Sequence, residues 1–308
     1  MTKHGSGPLS PIESAVAAIR SPWMVPFDGG LHEPPRNFSA PPGEKHCKDK
    51  LHRARKAIRP LQERLYAGKQ ASVLLVFQAL DAAGKDGAIR EVFEDLDPVN
   101  LRVSGFKQPN PRELRHDFLW RTVRRLPERG EIAIFNRSYY EEVLVVRVHP
   151  GFLDAQYAGA SPEPAALWPE RYRAIREHER HLATAGTLIL KFWLNVSPSR
   201  QAKRFLERLD TPEKRWKFSL GDVRESNQRA AYDEALMHML NETSRAWAPW
   251  FCIPADDRWY LRWQIADIIR QGMHALGLEF PPEEDVPATG LEEARALLQD
   301  RLDSPDET

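Results

Sequence analysis

The sequence predicts an α/β protein built on a mostly parallel five-stranded sheet flanked by helices. Two observations carry that prediction. Five short apolar runs, at residues 73–77, 101–106, 132–135, 187–196 and 250–253, are separated by stretches with helical periodicity. The 308 residues are 42% hydrophobic and 29% charged, enough to build a sizeable core in a soluble protein. That composition excludes wholesale disorder, a collagen-like repeat and a disulfide-stapled scaffold. The two cysteines, Cys47 and Cys252, show no metal-ligand spacing, and a reducing compartment follows.

Residues 1–45 are rich in Pro, Gly and Ser and lack periodicity, so an irregular N-terminal extension wrapping over the surface is expected. Residues 46–65 read as a basic helix with the apolar stripe Leu51, Ala54, Ile58, Leu61 and Leu65. His52, Arg53, Arg55 and Lys56 fall between those positions and are expected to face water or a partner. Pro60 is expected to kink or interrupt this helix. The strand at 73–77 leads through a Gly-containing loop into a helix ending near Val92. After the strand at 101–106, Asn110-Pro111-Arg112-Glu113 has both an N-cap box and Pro at the first helical position. An irregular insertion is expected between Tyr139 and Arg180, where Pro164 and Pro169 flank Trp168, with a helix over 171–182.

The first twenty residues contain no apolar stretch of the kind a signal peptide needs. The longest apolar run, 187–196, is interrupted by Lys191 and Asn195 and is too short to span a bilayer. The expectation is therefore a cytoplasmic protein without a membrane partner.

The formal charge is zero, with 44 Lys+Arg against 44 Asp+Glu, yet the charge is segregated. From Glu279 onward ten acidic residues face only Arg295 and Arg301, a net −8, leaving +8 on the rest. That end reads as an acidic appendage, solubilising or contacting another subunit. Residues 102–129 contain eight basic residues, and residues 200–217 contain seven. Such stretches either focus potential on a polyanion or form solvated helix faces.

The sharpest local signal is the loop Ala79-Leu80-Asp81-Ala82-Ala83-Gly84-Lys85-Asp86-Gly87, between an apolar strand and a helix. That is the setting of a phosphate-binding loop: Gly84 permits close backbone approach, Lys85 neutralises phosphate, and N–H groups at the helix start supply donors. The strict GxxxxGK[ST] pattern fails twice, with Ala79 for the first Gly and Asp86 for Ser/Thr. An unpaired Asp81 would repel phosphate, and a bridging Mg²⁺ turns it into a useful group. Asp86 is a weaker metal candidate.

The third strand runs into Asn136-Arg137-Ser138-Tyr139-Tyr140-Glu141-Glu142, at the carboxyl end where a parallel sheet places its crevice. Arg137 can hold phosphoryl oxygens in a fork. Asn136 orients an acceptor or forms the turn. Arg200, Arg204 and Arg208 recur every four residues, and Lys214 and Lys217 follow a break near Pro212. Together they suggest a helical lid near 200–222 whose closure excludes water. Trp216 is expected to anchor that lid mechanically. His116, His149 and His178 read as caps or hydrogen-bonded structural residues. Phe106, Phe118 and Trp120 are core residues or line a nucleotide pocket. No sequence-reading nucleic-acid module is present.

These strings resemble the polyphosphate kinase 2 family, especially its third class. The resemblance rests on FQALDAAGKDGAIR at 77–90, FKQPNPRELRHDFLWR at 106–121 and IFNRSYYEEVLVVRVHP at 134–150. It extends through ILKFWLNVS at 189–197, RFLERLDTPEKRWKFS at 204–219 and WAPWFCIPADDRWY at 247–260. It implies a P-loop kinase-like fold spanning 46–275, between the extension at 1–45 and the appendage at 276–308. It also implies Mg²⁺-dependent transfer between inorganic polyphosphate and nucleotides, AMP to ADP and ADP to ATP, in a homodimer or higher homo-oligomer. Asn136 departs from the Asp common in other classes.

On this resemblance, Asp81, Lys85 and Arg137 are the expected catalytic residues, and Asp81 the metal ligand. Ala82, Ala83, Gly84, Lys85, Asp86, Gly87, Arg204, Arg208, Lys214 and Lys217 are expected on phosphate. Phe106, Lys107, Asp117, Arg121, Asn136 and Glu141 are expected to position the nucleotide. An ATP-dependent P-loop kinase and a non-catalytic polyphosphate-binding protein are the alternatives.

Overall fold

The computed structural model describes residues 9–34, 41–157, 162–282 and 290–303. In chain order the helices are α1 (Pro11–Ala17), α2 (Glu44–Gly68), α3 (Lys85–Val92), α4 (Trp120–Val123), α5 (Val145–Val148), α6 (Pro164–Thr184), α7 (Pro198–Asp210), α8 (Leu220–Glu225), α9 (Arg229–Thr243), α10 (Arg258–Ala275) and α11 (Leu291–Asp303). The strands are β1 (Ser72–Gln78), β2 (Leu101–Gly105), β3 (Ile132–Asn136), β4 (Thr187–Asn195) and β5 (Trp250–Pro254). They form one sheet in the order β2-β3-β1-β4-β5, every pair parallel.

Side-chain alternation along β1 divides the core in two. Val73, Leu75 and Phe77 join the layer under α1, α2, α3 and α10, whereas Leu74 and Val76 join the layer under α6 and α9. With both faces covered, every residue of β1, β4 and β5 is buried. All five carboxyl ends point the same way. The chain leaves central β1 for β2 on one side and later crosses to β4 on the other, so the crevice opens above β1.

Several local expectations change. Helix α2 runs through Pro60 without a break. An interior Pro costs about 3 kcal/mol relative to Ala. Burying Ile58 and Leu61 in the same turn returns roughly 1.5–3 kcal/mol each. The N–H that Pro60 lacks lies on the exposed face, where water can serve the free carbonyl. Arg55 does not face water; it is 9% exposed and pairs with Glu94 and Asp95, each at 2.7 Å. The cap box at Asn110 closes, its Oδ1 accepting from the N–H groups of Arg112 and Glu113, but only a single 3₁₀ turn, Glu113–Arg115, follows. Pro164 and Pro169 both lie within α6, Pro164 in its first turn.

Within the N-terminal region, a Ser10 capping box starts α1, which buries Ile12, Ala15 and Val16. The chain then runs antiparallel along the outer edge of β5. There Val25 N–H donates to Trp250 O and Cys252 N–H donates to Trp23 O, both at 2.8 Å. That edge is thereby closed to further pairing.

Candidate active site

Beyond Gln78 the chain reverses into α3 through Ala82 and Gly84, at φ 62° and 98°. Gly84 adopts this left-handed geometry freely, while Ala82 is held in it at a cost of about 1–2 kcal/mol. The first turn of α3 leaves N–H groups without intrahelical partners above the loop. Lys85 folds back so that its Nζ donates to Ala79 O at 3.0 Å. Desolvation, and secondly the positive Arg137, pull the Lys85 pKa down to about 8 against the carboxylates of Asp81, Glu141 and Asp86.

Arg137 begins where β3 ends. Its N–H donates to Phe77 O at 3.0 Å, extending the ladder past Asn136, and its own φ of 65° turns the side chain back over β1. Its guanidinium then joins the two loops: Nη2 donates to Asp81 Oδ1 at 2.6 Å and Nη1 to Glu141 Oε2 at 2.9 Å. Glu141, then Asp81, raise the Arg137 pKa against the opposing desolvation. The Asp81 carboxylate is therefore neutralised by Arg137, a partner the sequence did not identify. Gln78 Nε2 holds the other Glu141 oxygen at 3.0 Å, and Asn136 Nδ2 donates to Asp86 Oδ1 at 2.8 Å. Asp81, Lys85 and Arg137 thus share one crevice.

That crevice is a cleft of about 750 Å³. Among the described residues, eleven Lys and Arg line it against Asp81, Asp86 and Glu207, a surplus that selects for a polyanion. One wall is the segment 200–217, expected from sequence to belong to a lid. Ser197 caps α7, Pro198 occupies its first turn, and Arg200, Arg204 and Arg208 share the cleft-facing side.

Their roles differ. Arg204 is turned onto backbone carbonyls, with Nη1 on Ala83 O at 2.7 Å and Ala82 O at 3.1 Å, and Nη2 on Ala255 O at 2.7 Å. Burial, then Arg200, lower its pKa to about 10. Gln201 adds a bond from Nε2 to Asp81 O at 2.9 Å. Arg208 lies 3.9 Å from Asp222, while Lys214 and Lys217 line the outer cleft. Trp216 is not buried as an anchor would be: it is 78% exposed, with Lys217 Nζ 4.8 Å from its ring.

Sequence reasoning missed Arg90, Arg258 and Arg262, which also line the cleft, together with the links made by Gln78 and Gln201. The signal for Arg258 and Arg262 was present. They sit four residues apart at the start of the helix after the fifth strand, whose end faces the same crevice.

Beside the cleft lies a slot of about 310 Å³, lined by Leu114, Phe118, Tyr139, Val145, Val146 and Phe152 together with Lys107, Arg121 and Glu141. Lys107 borders both spaces. Arg121 donates to Lys107 O at 2.5 Å and lies over the Phe106 ring at 5.3 Å. Phe106 is buried edge-on against Phe135. Asp117 stands apart, lining a smaller space behind the slot and accepting from Leu119 N–H. Of the histidines, His149 pairs with Glu225 and His116 stacks on Trp120, and among the described residues none lines the cleft.

Known proteins resemble this chain in sequence and in fold. The family model described as polyphosphate kinase 2 matches residues 43–279. An ADP-polyphosphate phosphotransferase of Rhodopseudomonas palustris is 46% identical over 84% of this chain and 88% of that protein. An AMP/ADP-polyphosphate phosphotransferase of Meiothermus ruber is 45% identical over 74% of this chain and 81% of its own length. The crystal structure of polyphosphate kinase 2 from Arthrobacter aurescens superposes with a TM-score of 0.80 at 31% identity, covering 90% of this chain and 95% of the other. With a family model spanning residues 43–279 and relatives that match across most of both chains, the chain belongs to the polyphosphate kinase 2 family.

Proposed function

We propose that this protein transfers phosphoryl groups from inorganic polyphosphate to adenine nucleotides, AMP and ADP, and that residues 46–275 form the catalytic domain. The observation that carries the reading is the Asp81–Arg137–Glu141 bridge. It stands between a cation-lined cleft able to hold a long polyanion and an apolar slot of nucleoside size. The names of the Rhodopseudomonas and Meiothermus relatives support polyphosphate as donor and adenine nucleotides as acceptors.

A terminal phosphate oxygen of the acceptor attacks the end phosphorus of polyphosphate in line. A new P–O bond forms, the bridging P–O bond breaks, and the donor departs one unit shorter. The attacking oxygen is already ionised near neutral pH, so no side chain must remove a proton. The protein's task is to gather and neutralise anions. Lys85 and Arg137 stabilise the transferring group. Lys214 and Lys217 bring charge with the lid, and Arg204 keeps the loop in shape from behind.

Among the described residues no three acidic, His or Cys side chains form a metal cage. The donor set still suits Mg²⁺, which takes one or two carboxylates and completes its shell with phosphate oxygens and water. Asp81 and Asp86, both on the cleft wall, are the carboxylates that would hold it. When bound, the ion would offset phosphate charge.

The test is a donor–acceptor matrix with purified protein, Mg²⁺ and separated nucleotide products. Long-chain polyphosphate is expected to convert AMP to ADP and ADP to ATP. Product with ATP as donor and none with polyphosphate overturns the reading. Asp81→Asn is expected to lower kcat about a hundredfold or more, with an unchanged melting temperature.

A further inference from the structure

Beneath the Arg137 turn lies a charged network that stays clear of the cation-lined cleft and reaches the neighbouring slot only through Tyr139. Tyr139 and Tyr140 run into the interior from the 3₁₀ turn Tyr139–Val143, and both hydroxyls donate to one oxygen of Glu179 on α6, at 2.9 and 2.7 Å. The other Glu179 oxygen accepts from Lys191 of β4 at 2.6 Å. Lys191 Nζ donates further to Tyr140 OH and to Thr243 O at the end of α9, both at 2.8 Å, so all three of its N–H groups are used. Glu179 and Lys191 are wholly buried, as are both tyrosines to within 1%.

An ion pair in such a place is a poor way to gain stability. The loss of hydration offsets much of the attraction, and apolar residues of the same volume serve as well or better. What the network does supply is direction. Arg137 is a non-glycine residue in left-handed geometry, and Glu141, which receives its guanidinium, lies in the same 3₁₀ turn as the tyrosines. Three helical or strand elements fix that turn from below through a single carboxylate.

We propose that Glu179 and Lys191, acting through Tyr139 and Tyr140, are positioning residues that set Arg137 and Glu141 in the geometry required for phosphoryl transfer. The inference rests on the role given to Arg137 above. Neither Glu179 nor Lys191 touches substrate. They hold the turn that does, and loosening it misplaces the guanidinium while the rest of the cleft still binds polyphosphate.

The experiment combines Tyr140→Phe, Glu179→Gln and Lys191→Met with Arg137→Lys, measuring kcat, KM for polyphosphate and the melting temperature. Tyr140→Phe keeps the ion pair and removes one hydroxyl, so it remains informative if Glu179→Gln fails to fold. For folded Tyr140→Phe and Glu179→Gln, kcat is expected to fall at least tenfold with KM changed less than threefold. Combined with Arg137→Lys, the loss should be well short of the product of the two single losses, and Glu179→Asp should recover part of the rate. A lowered melting temperature with unchanged kcat, or multiplicative losses in the combined variant, overturns the positioning role and leaves Arg137 in place. Full activity of Arg137→Lys instead overturns the reading of Arg137 on which the inference rests.

Discussion

Lys85 is placed where its own charge is disfavoured until an anion arrives. Its pKa of about 8 in the free cleft lies well below the usual lysine value of 10.5. Phosphate binds the ammonium form, so affinity for polyphosphate should be full below pH 8 and decline as pH rises through that value. KM for polyphosphate measured from pH 6.5 to 9.5 is expected to stay level and then climb, by up to about tenfold per unit. In Lys85→Arg, which remains charged, the climb should vanish. The folding equilibrium has the opposite sense. A lysine depressed by the fold weakens the native state most below pH 8, and that penalty disappears as pH approaches 10.5. Lys85→Met is therefore expected to abolish turnover, and its ligand-free melting temperature relative to wild type should be higher at pH 7 than at pH 10, the lost bond to Ala79 O costing the same at both. The pairing of Asp81 with Arg137 follows the same pattern. A loop acid that seemed hostile to phosphate is neutralised by a residue fifty-six positions away.

At the scale of elements, α7 both lines the cleft and holds the loop opposite. The Arg204 guanidinium supplies donors to the carbonyls of Ala82, Ala83 and Ala255. Arg204→Met should lower stability by roughly 1–3 kcal/mol, because buried carbonyls lose their partners. Urea denaturation is the measurement, and KM for polyphosphate should rise as the loop relaxes. The spacing of Arg200, Arg204 and Arg208 correctly places them on one helical face, but spacing does not reveal which guanidinium turns toward backbone and which toward open space. Helix α2 teaches a related lesson. The stripe from Leu51 to Leu65 is buried as its periodicity requires, and packing overrides the local effect of Pro60. Pro60→Ala restores the missing N–H on an exposed face and is expected to stabilise the fold by about 2 kcal/mol in the same assay.

For the molecule as a whole, charge is divided between a basic crevice and an acidic end. Helix α11 buries none of its residues, and the family model ends at 279, before it. Removal of residues 290–308 should leave kcat unchanged and stability within about 0.5 kcal/mol, as for surface changes in general. A larger loss in either quantity would show that the acidic end packs on the catalytic domain. Among the described residues no helix is long and apolar enough to cross a membrane. The buried strands, the loop between strand and helix, and the cation spacing at 200–217 were all legible because each is a local pattern.

The sequence by itself determined the class of fold, the five strands in order and most of the segments that line the cleft. Apolar runs and helical periodicity are properties of neighbouring residues. Only the tertiary structure decided that Arg137 neutralises Asp81, that Arg204 faces carbonyls, and that Arg258 and Arg262 complete the cleft. Strand order brings these groups together from far along the chain, and no local pattern encodes the distance between side chains on separate loops.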